Sequence, residues 1–378
     1  MWNHRYLSRI DFRIIPVLVG LMLASLLAIS AYTTDGSPEA LEGTFFTGAV
    51  IRQIKGIFIG IGVFIFFAGF DYNKLREWTW FLYAIMILAL VGLFFVPTIQ
   101  NVHRWYRLPL IGMNFQPSEY SKLIVVIALS WFLERQRAES RSLKTAFFAL
   151  LIMGIPFLLI LKQPDLGTAF VLFPISLVMF YFGDINPWVI RIMTLIGGCI
   201  LLFTALIFLG VISHEEIRPY AAKVIKDYQF ERLNPNTHHQ KAATTAIALG
   251  GFAGKGWRKS EYTAGGWLPE AYTDSVFPAF GEEFGLIGLF SIMTLFYALI
   301  YFNFRVTAIA GDHFGRLLSA GATVYIAMHI LVNIGMMCGL LPITGVPLVL
   351  VSYGGSSILS TMTALGILQS IYSRRFMF

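Results

Sequence analysis

The stretch GWLPEAYTDSVFPAFGEEFG, residues 266–285, gathers Glu270, Asp274, Glu282 and Glu283 in a chain where charge is scarce. Carboxylates can cap helices, bind cations or move protons, so each needs its own reading. Glu282 and Glu283 stand just before an apolar run that starts near Phe284, where the dipole of a starting helix favours acids. Glu270 follows Pro269 in a turn-like segment. Asp274 differs, because Trp267, Leu268, Tyr272, Val276 and Phe277 flank it. A carboxylate in apolar surroundings holds its proton more tightly and can serve as a general base. A solvated loop aspartate is the plain alternative.

Cations and further polar motifs interrupt the apolar pattern elsewhere. Arg104, Trp105 and Arg107 lie in NVHRWYRLPL, and Arg52 and Lys55 open a second apolar run. QPSEYSK carries Glu119 and Lys122, KQPDLGT carries Lys162 and Asp165, and VSYGGSS carries Ser356. Each has a structural reading. Pro117 suits a first helical position, Glu119 the first turn, and Lys122 can pair with Glu119 three residues away. Asp165 can cap the helix that follows it. Arg104 with Trp105 can anchor at a membrane interface. The small residues of SYGGSS can let helices pack closely. The functional reading of that motif is a helix start that aims N–H groups at a phosphate.

Two weaker signals lack the spacing of a site. GGFAGKGW looks like a phosphate loop, but Leu249 stands where the first glycine should be and Gly256 follows the lysine. His238 and His239 are adjacent, without partners at metal-ligand spacing.

Composition decides what must position these groups. Of 378 residues, 57% are hydrophobic and only 13% are charged, against about 25% charged in soluble domains. That balance cannot cover a water-facing surface. Repeated apolar stretches predict an all-α polytopic membrane protein with about ten spans. They fall near 14–32, 50–70, 79–97, 118–134, 146–162, 168–183, 188–212, 284–303, 315–338 and 347–371. A membrane barrel would alternate apolar and polar residues. The net charge of +7 fits membrane orientation and anionic headgroups better than nucleic acid. Cys199 and Cys338 both lie in apolar runs and frame no disulfide or metal pattern.

Orientation follows from Lys and Arg in short loops. Arg5, Arg9, Arg13, Lys74, Arg76, Arg135, Arg137, Arg141, Lys144, Arg191, Arg305, Arg316, Arg374 and Arg375 fall on one side. That side is expected to be cytoplasmic and to carry both termini. The polar motifs and a large loop, about 213–283, then face the exoplasm. Within that loop an apolar spacing from Ile217 to Tyr228 predicts an amphipathic helix. Everything reads as one membrane domain over residues 1–378. Arg52, Arg104 and Arg107 are unusual for short outer loops, and their placement points to an anionic ligand.

RW, QPSEYSK, KQPDLGT, GKGW, LPEAYTD with GEEFGLIG, and LPITGVPLVLVSYGGSS occur together in the order found in the SEDS proteins (shape, elongation, division and sporulation). The chain resembles that family from about residue 10 to its end. The short N-terminus and LPITGVPL are closer to its elongation branch, RodA, than to its division branch, FtsW. The resemblance implies a peptidoglycan glycosyltransferase in the bacterial cytoplasmic membrane. It would polymerise lipid II into a nascent glycan at the outer face, beside a class B penicillin-binding protein. The family's essential loop acid falls on Asp274, and its other motif residues on Arg52, Arg104, Glu119, Lys122 and Asp165. Departures are Ser275 and Pro278 after the TD pair, Ala242 for a common Gln, and Asn114 for a common Arg.

In the implied reaction a sugar hydroxyl loses a proton as it attacks, which needs one positioned base, and Asp274 is the candidate. The pyrophosphate leaves as an anion, and Arg52, Arg104 and Lys122 are the candidate clamp. Ser356 is the candidate helix-start contact. A divalent cation could share the clamp's role, and the sequence offers no dedicated cage for one. Two rival classes remain at this point: a lipid II flippase or transporter, and a non-catalytic scaffold for a synthase. A transporter predicts charges deep within spans and an inverted repeat; here the charges gather at one face and no repeat is visible.

Overall fold

The structure is a computed structural model and describes residues 2–32, 45–96, 104–108, 113–221 and 230–376. Among these, ten long helices fall on the ten expected spans. They are α1 (Ile14–Ala31), α2 (Gly48–Gly69), α3 (Lys74–Gly92), α4 (Pro117–Arg135), α5 (Leu143–Lys162), α6 (Leu166–Phe182), α7 (Pro187–Phe208), α11 (Val276–Ile309), α12 (His313–Met337) and α13 (Gly355–Ser373). Between α7 and α11 the described residues form three shorter helices, α8 (His214–Ala221), α9 (His238–Gly250) and α10 (Glu261–Ala264). The fold is thus nearly all-helical, as expected. The exception is a small antiparallel hairpin, β1 (Tyr106–Leu108) with β2 (Met113–Phe115), pinned to α3 by Tyr106 Oη donating to Ala89 O at 2.8 Å.

Seven of the ten (α1, α2, α3, α5, α7, α11 and α12) are each long and apolar enough to cross a membrane. Their outer faces carry large exposed apolar residues such as Phe58, Leu88, Leu195, Leu202 and Phe290, which suit contact with lipid. The chain reads as an integral membrane protein. Between helices in lipid, close packing matters more than apolarity. Gly60 of α2 lies against Ile358 and Met362 of α13, and Gly366 of α13 against Phe64 and Phe67 of α2. Helix α12 is the most enclosed span and packs against α4, α6 and α11.

Two boundaries differ from expectation for identifiable reasons. Helix α11 begins at Val276, two turns before the expected span, because Val276, Phe277, Ala279 and Phe280 are buried there. It is broken at Gly285, whose φ of 63° and ψ of −162° are not helical. Glu282 and Glu283 therefore sit at an internal kink, not at the first turn. The backbone freed by the kink is taken up by GGFAGKGW. Leu286 N donates to Gly251 O at 2.9 Å, and Lys255 N and Gly256 N donate to Glu282 O and Glu283 O at 3.0 and 2.9 Å. The glycine motif is a clasp around the broken helix. Glu282 accepts from the N–H groups of Tyr262 and Thr263, and Glu283 from Arg258 N. A Cβ at Gly285 would meet Gly254 N at 2.4 Å and Phe252 O at 2.6 Å. Gly285→Ala is expected to cost at least about 1–2 kcal/mol from the left-handed backbone alone. A lowered melting temperature in detergent would register it, and an unchanged one would discount the clasp.

The tenth span was expected from residue 347, but α13 begins at Gly355. Residues 339–354 are irregular because their polar groups serve another loop. Ser352 Oγ donates to Thr273 O at 2.6 Å, and Tyr353 N donates to Tyr272 O at 2.8 Å. Pro342, Gly345 (φ 74°) and Pro347 also break any helix there. The expected amphipathic helix is helical at 214–221, and its remainder, 222–229, lies outside the described residues. The side chains of Arg107 and Asn114 lie outside them too.

The two groups of loops expected on opposite faces are each gathered in space. On one side Arg76 pairs with Glu134 at 2.9 Å and with Asp312, and the buried Arg374 reaches Asp71 at 3.8 Å. The polar motifs gather separately, around Asp165 and Asp274.

Candidate active site

The loop carrying Asp274 is held from beneath. Asn333, fully buried on α12, donates from Nδ2 to Asp274 O at 2.9 Å and to Val346 O at 2.7 Å. The irregular 339–354 segment is thereby drawn under the loop, and a Cβ at Gly345 would lie 3.2 Å from Asp274 Oδ2. Glu270, in the left-handed region at φ 51°, turns the loop and accepts from Ser275 N at 3.0 Å. Thr273 Oγ1 donates to Glu270 Oε2 at 2.7 Å.

Asp274 is half-buried at its surface but enclosed by protein on most sides. Burial pushes its carboxyl up to about 6, and Glu270 adds to the rise. Arg104 and Arg232 oppose the rise, and Asp165 supports it. A carboxylate poised near neutral pH and faced by two cations can accept a proton at one edge while negative charge is stabilised beside it.

Asp165 takes the capping role that its place before α6 offers. As the cap of α6 it accepts from Thr168 N at 3.3 Å. Its other oxygen accepts from Ser118 Oγ at 2.8 Å, Thr168 Oγ1 at 3.0 Å and Gln116 Nε2 at 3.1 Å, tying QPSE to QPD. Burial would raise its carboxyl, but Arg104, Ser118, Lys122 and Thr168 outweigh that and hold it below the usual carboxylate range. Arg104 donates to Gln163 O at 3.4 Å and to Pro164 O, which places its guanidinium at the end of α5. Trp105 is folded into the same knot, its Nε1 donating to Gln116 Oε1 at 3.2 Å.

Glu119 and Lys122 form a pair at 2.8 Å, as their spacing predicts. The pair is buried, with Lys122 at 0% exposure, and Lys122 Nζ also lies 2.7 Å from His329 Nε2 on α12. It thus lies inside the helix packing. Arg52 is exposed on the first turns of α2. Its neighbour Gln53 is buried and donates to Ser25 Oγ at 2.9 Å and Ser352 O at 3.3 Å, joining that helix to the 339–354 segment. Ser356 is half-buried in the first turn of α13, which has no side-chain cap. Asp274, Asp165 and Arg104 are therefore brought into one electrostatic cluster, Glu119 and Lys122 lie in the packing of α4 against α12, and Arg52 and Ser356 stand at neighbouring helix starts.

Sequence reading missed Arg232, Asn333, Gly345 and Ser352. Arg232 donates to Thr344 O at 3.4 Å and faces Asp274, but in the sequence it is one basic residue in a long loop. Asn333 is a single amide within an apolar helix; an intramembrane polar residue was the available signal. Among the described residues, no three His, Cys, Asp or Glu side chains are grouped to hold a metal ion.

The chain as a whole has known counterparts. The family model described as cell cycle protein, covering FtsW, RodA and SpoVE, matches residues 12–375. The peptidoglycan glycosyltransferase MrdB of Escherichia coli K12 is 32% identical over 330 residues, covering 87% of this chain and 86% of its own. A probable peptidoglycan glycosyltransferase FtsW of Geobacter sp. strain M18 is 31% identical over 357 residues, covering 91% of each. Among solved structures, a chain of a peptidoglycan synthase complex that couples polymerization and crosslinking superposes with a TM-score of 0.75 at 22% identity, covering 98% of this chain and 99% of its own. The rod shape determining protein RodA of Thermus thermophilus superposes with a TM-score of 0.68 at 21% identity, covering 97% and 98%. These likenesses establish the fold, and the match over residues 12–375 establishes the lineage: the chain belongs to the SEDS family of FtsW-, RodA- and SpoVE-like proteins.

Proposed function

We propose that this chain is a peptidoglycan glycosyltransferase that polymerises lipid II at the outer face of the bacterial cytoplasmic membrane, with Asp274 as general base. The observation that carries the reading is the Asp274 carboxyl, pushed up to about 6 and faced by Arg104 and Arg232. The names of the curated relatives support the activity. The gathering of the polar motifs apart from the Arg76 and Arg374 clusters supports an outward-facing site. Residues 1–378 act as one membrane domain in this reading, and the elongation role rests on the likeness to MrdB and RodA. A class B penicillin-binding protein is the partner it would work with, since a synthase complex shares the fold.

The chemistry is a single displacement. The acceptor hydroxyl gives its proton to Asp274 as its oxygen bonds to the donor's anomeric carbon. The bond from that carbon to the lipid pyrophosphate breaks, and the electron pair leaves with the pyrophosphate. Arg104 and Arg232 stabilise the charge that develops there, with Arg52 and the Ser356 helix start as further phosphate contacts. Asp165 and the buried Glu119–Lys122 pair hold the surrounding helix starts. Asp274 then passes its proton to water. One base and no carboxylate nucleophile imply inversion at the sugar.

The test is purified protein with lipid II, assayed with and without the partner and across pH. Glycan strands on a gel are expected, with the rate lost as pH falls through about 6, because the base must be ionised to accept a proton. Lipid movement across vesicles without polymer would replace this reading with a flippase.

A further inference from the structure

We infer that a hydrogen bond between His239 and Ser275 is the device that positions the Asp274 carboxyl, so that His239 and Ser275 are positioning residues for the proposed reaction. The inference rests on the Asp274 reading above. His239 Nε2 lies 2.7 Å from Ser275 Oγ, and Ser275 is fully buried next to Asp274 in sequence.

Ser275 is the residue before the first turn of α11, where a serine ordinarily caps its own helix. Here its side chain makes no cap bond, and its hydroxyl is committed to His239. Helix α9, which carries His239, is itself fixed. Thr237 Oγ1 caps it through Gln240 N at 3.3 Å, and Gln240 Nε2 donates to Met336 O of α12 at 2.7 Å. The same α12 holds the Asp274 carbonyl through Asn333. A closed path therefore runs from α12 through α9, His239 and Ser275 to Asp274, and back through Asn333 to α12. Asp274 is gripped at its own carbonyl and at the next residue. The bond serves in either imidazole tautomer, since a hydroxyl can donate or accept.

The charged groups around the pair are few. Glu270 acts on both His239 and Asp274, His238 acts on His239, and Arg104, Arg232 and Asp165 act on Asp274. Burial holds His239 below its usual value, so the ring is neutral at neutral pH and contributes geometry there, not charge.

The test uses Ser275→Ala and His239→Phe, which remove the bond, and His239→Gln, whose amide can replace it. Two readouts are taken on the full chain: lipid II polymerisation kinetics, and infrared titration of the Asp274 carboxyl by difference against Asp274→Asn. With the bond removed, kcat is expected to fall about 10- to 100-fold with KM little changed. The carboxyl midpoint is expected to move from about 6 toward the usual carboxylate range, as water enters a loosened seat. His239→Gln should recover most of both. An unmoved midpoint, or a lower melting temperature with unchanged kcat and midpoint, overturns the inference. A shifted midpoint in a chain that makes no polymer upholds it and rejects the glycosyltransferase reading instead.

Discussion

Asp274→Asn should lower the rate of lipid II polymerisation by about 10²–10⁴-fold, the range that a positioned general base contributes, while raising the melting temperature near neutral pH. The two effects share one cause. The folded chain raises the Asp274 carboxyl from 3.8 to about 6, so it binds that proton more tightly than the unfolded chain does. Stability from this group is fully present below the unfolded value and is lost as pH rises through about 6. At pH 7 the carboxylate is ionised in a seat that disfavours its charge, with Glu270 adding repulsion and Arg104 and Arg232 only partly relieving it. Asparagine is nearly isosteric and carries no charge, so it removes that penalty and the base together. The Asn333 bond to the backbone carbonyl survives the change, so the loop keeps its place. The measurements are polymerisation kinetics and thermal unfolding in detergent at pH 5 and pH 8. The stabilisation should be full at pH 8, reduced at pH 5, and absent only below about 3.8. Normal polymer from the variant would end the base assignment. A variant that binds its partner and makes no polymer would exclude a purely structural scaffold.

What could be read from the sequence tracks the range of the interactions involved. The long helices were legible because a helix in an apolar setting satisfies its own backbone, and a run of apolar residues suffices to declare it. Asp165 was legible as a cap because Thr168 is only three residues away, and Glu119 with Lys122 because they share a helix face. Failures came where partners are distant along the chain. Nothing near residue 250 announces that Gly254 must leave room for the Glu283 carbonyl. Nothing near residue 352 shows that its hydroxyl is committed to Thr273, which moved the start of α13 by eight residues from expectation. Adjacent histidines such as His238 and His239 suggest a metal site. The real partner of His239 is a serine 36 positions away. Arg232 and Asn333 reach the site in the same long-range manner. Local sequence thus identified the chemical groups, and the tertiary packing of α9 and α12 decides how they are held.

Lys122→Met is expected to destabilise the fold by about 3–5 kcal/mol, the usual consequence of leaving a buried charge without its partner. The partner left behind is Glu119, whose side chain is 5% exposed and whose Oε1 accepts from Lys122 Nζ at 2.8 Å. His329 Nε2 would also lose its 2.7 Å contact, and the Tyr325 ring would lose the ammonium 5.5 Å from its centre. The double variant Glu119→Gln with Lys122→Met removes both charges from the same pocket. It should regain most of the lost stability, because replacing an entire buried ion pair is often neutral. Thermal unfolding of the two single variants and the double variant gives the coupling energy directly. A double variant no more stable than Lys122→Met alone would show that the pair is not what holds α4 against α12. Polymerisation by the refolded double variant then assigns the lysine. Activity that returns with the fold makes Lys122 a support beneath the site. Activity that stays lost in a stable double variant, with the Asp274 carboxyl still titrating near 6, makes Lys122 part of the phosphate clamp and requires α4 and α12 to part far enough for a pyrophosphate to reach it.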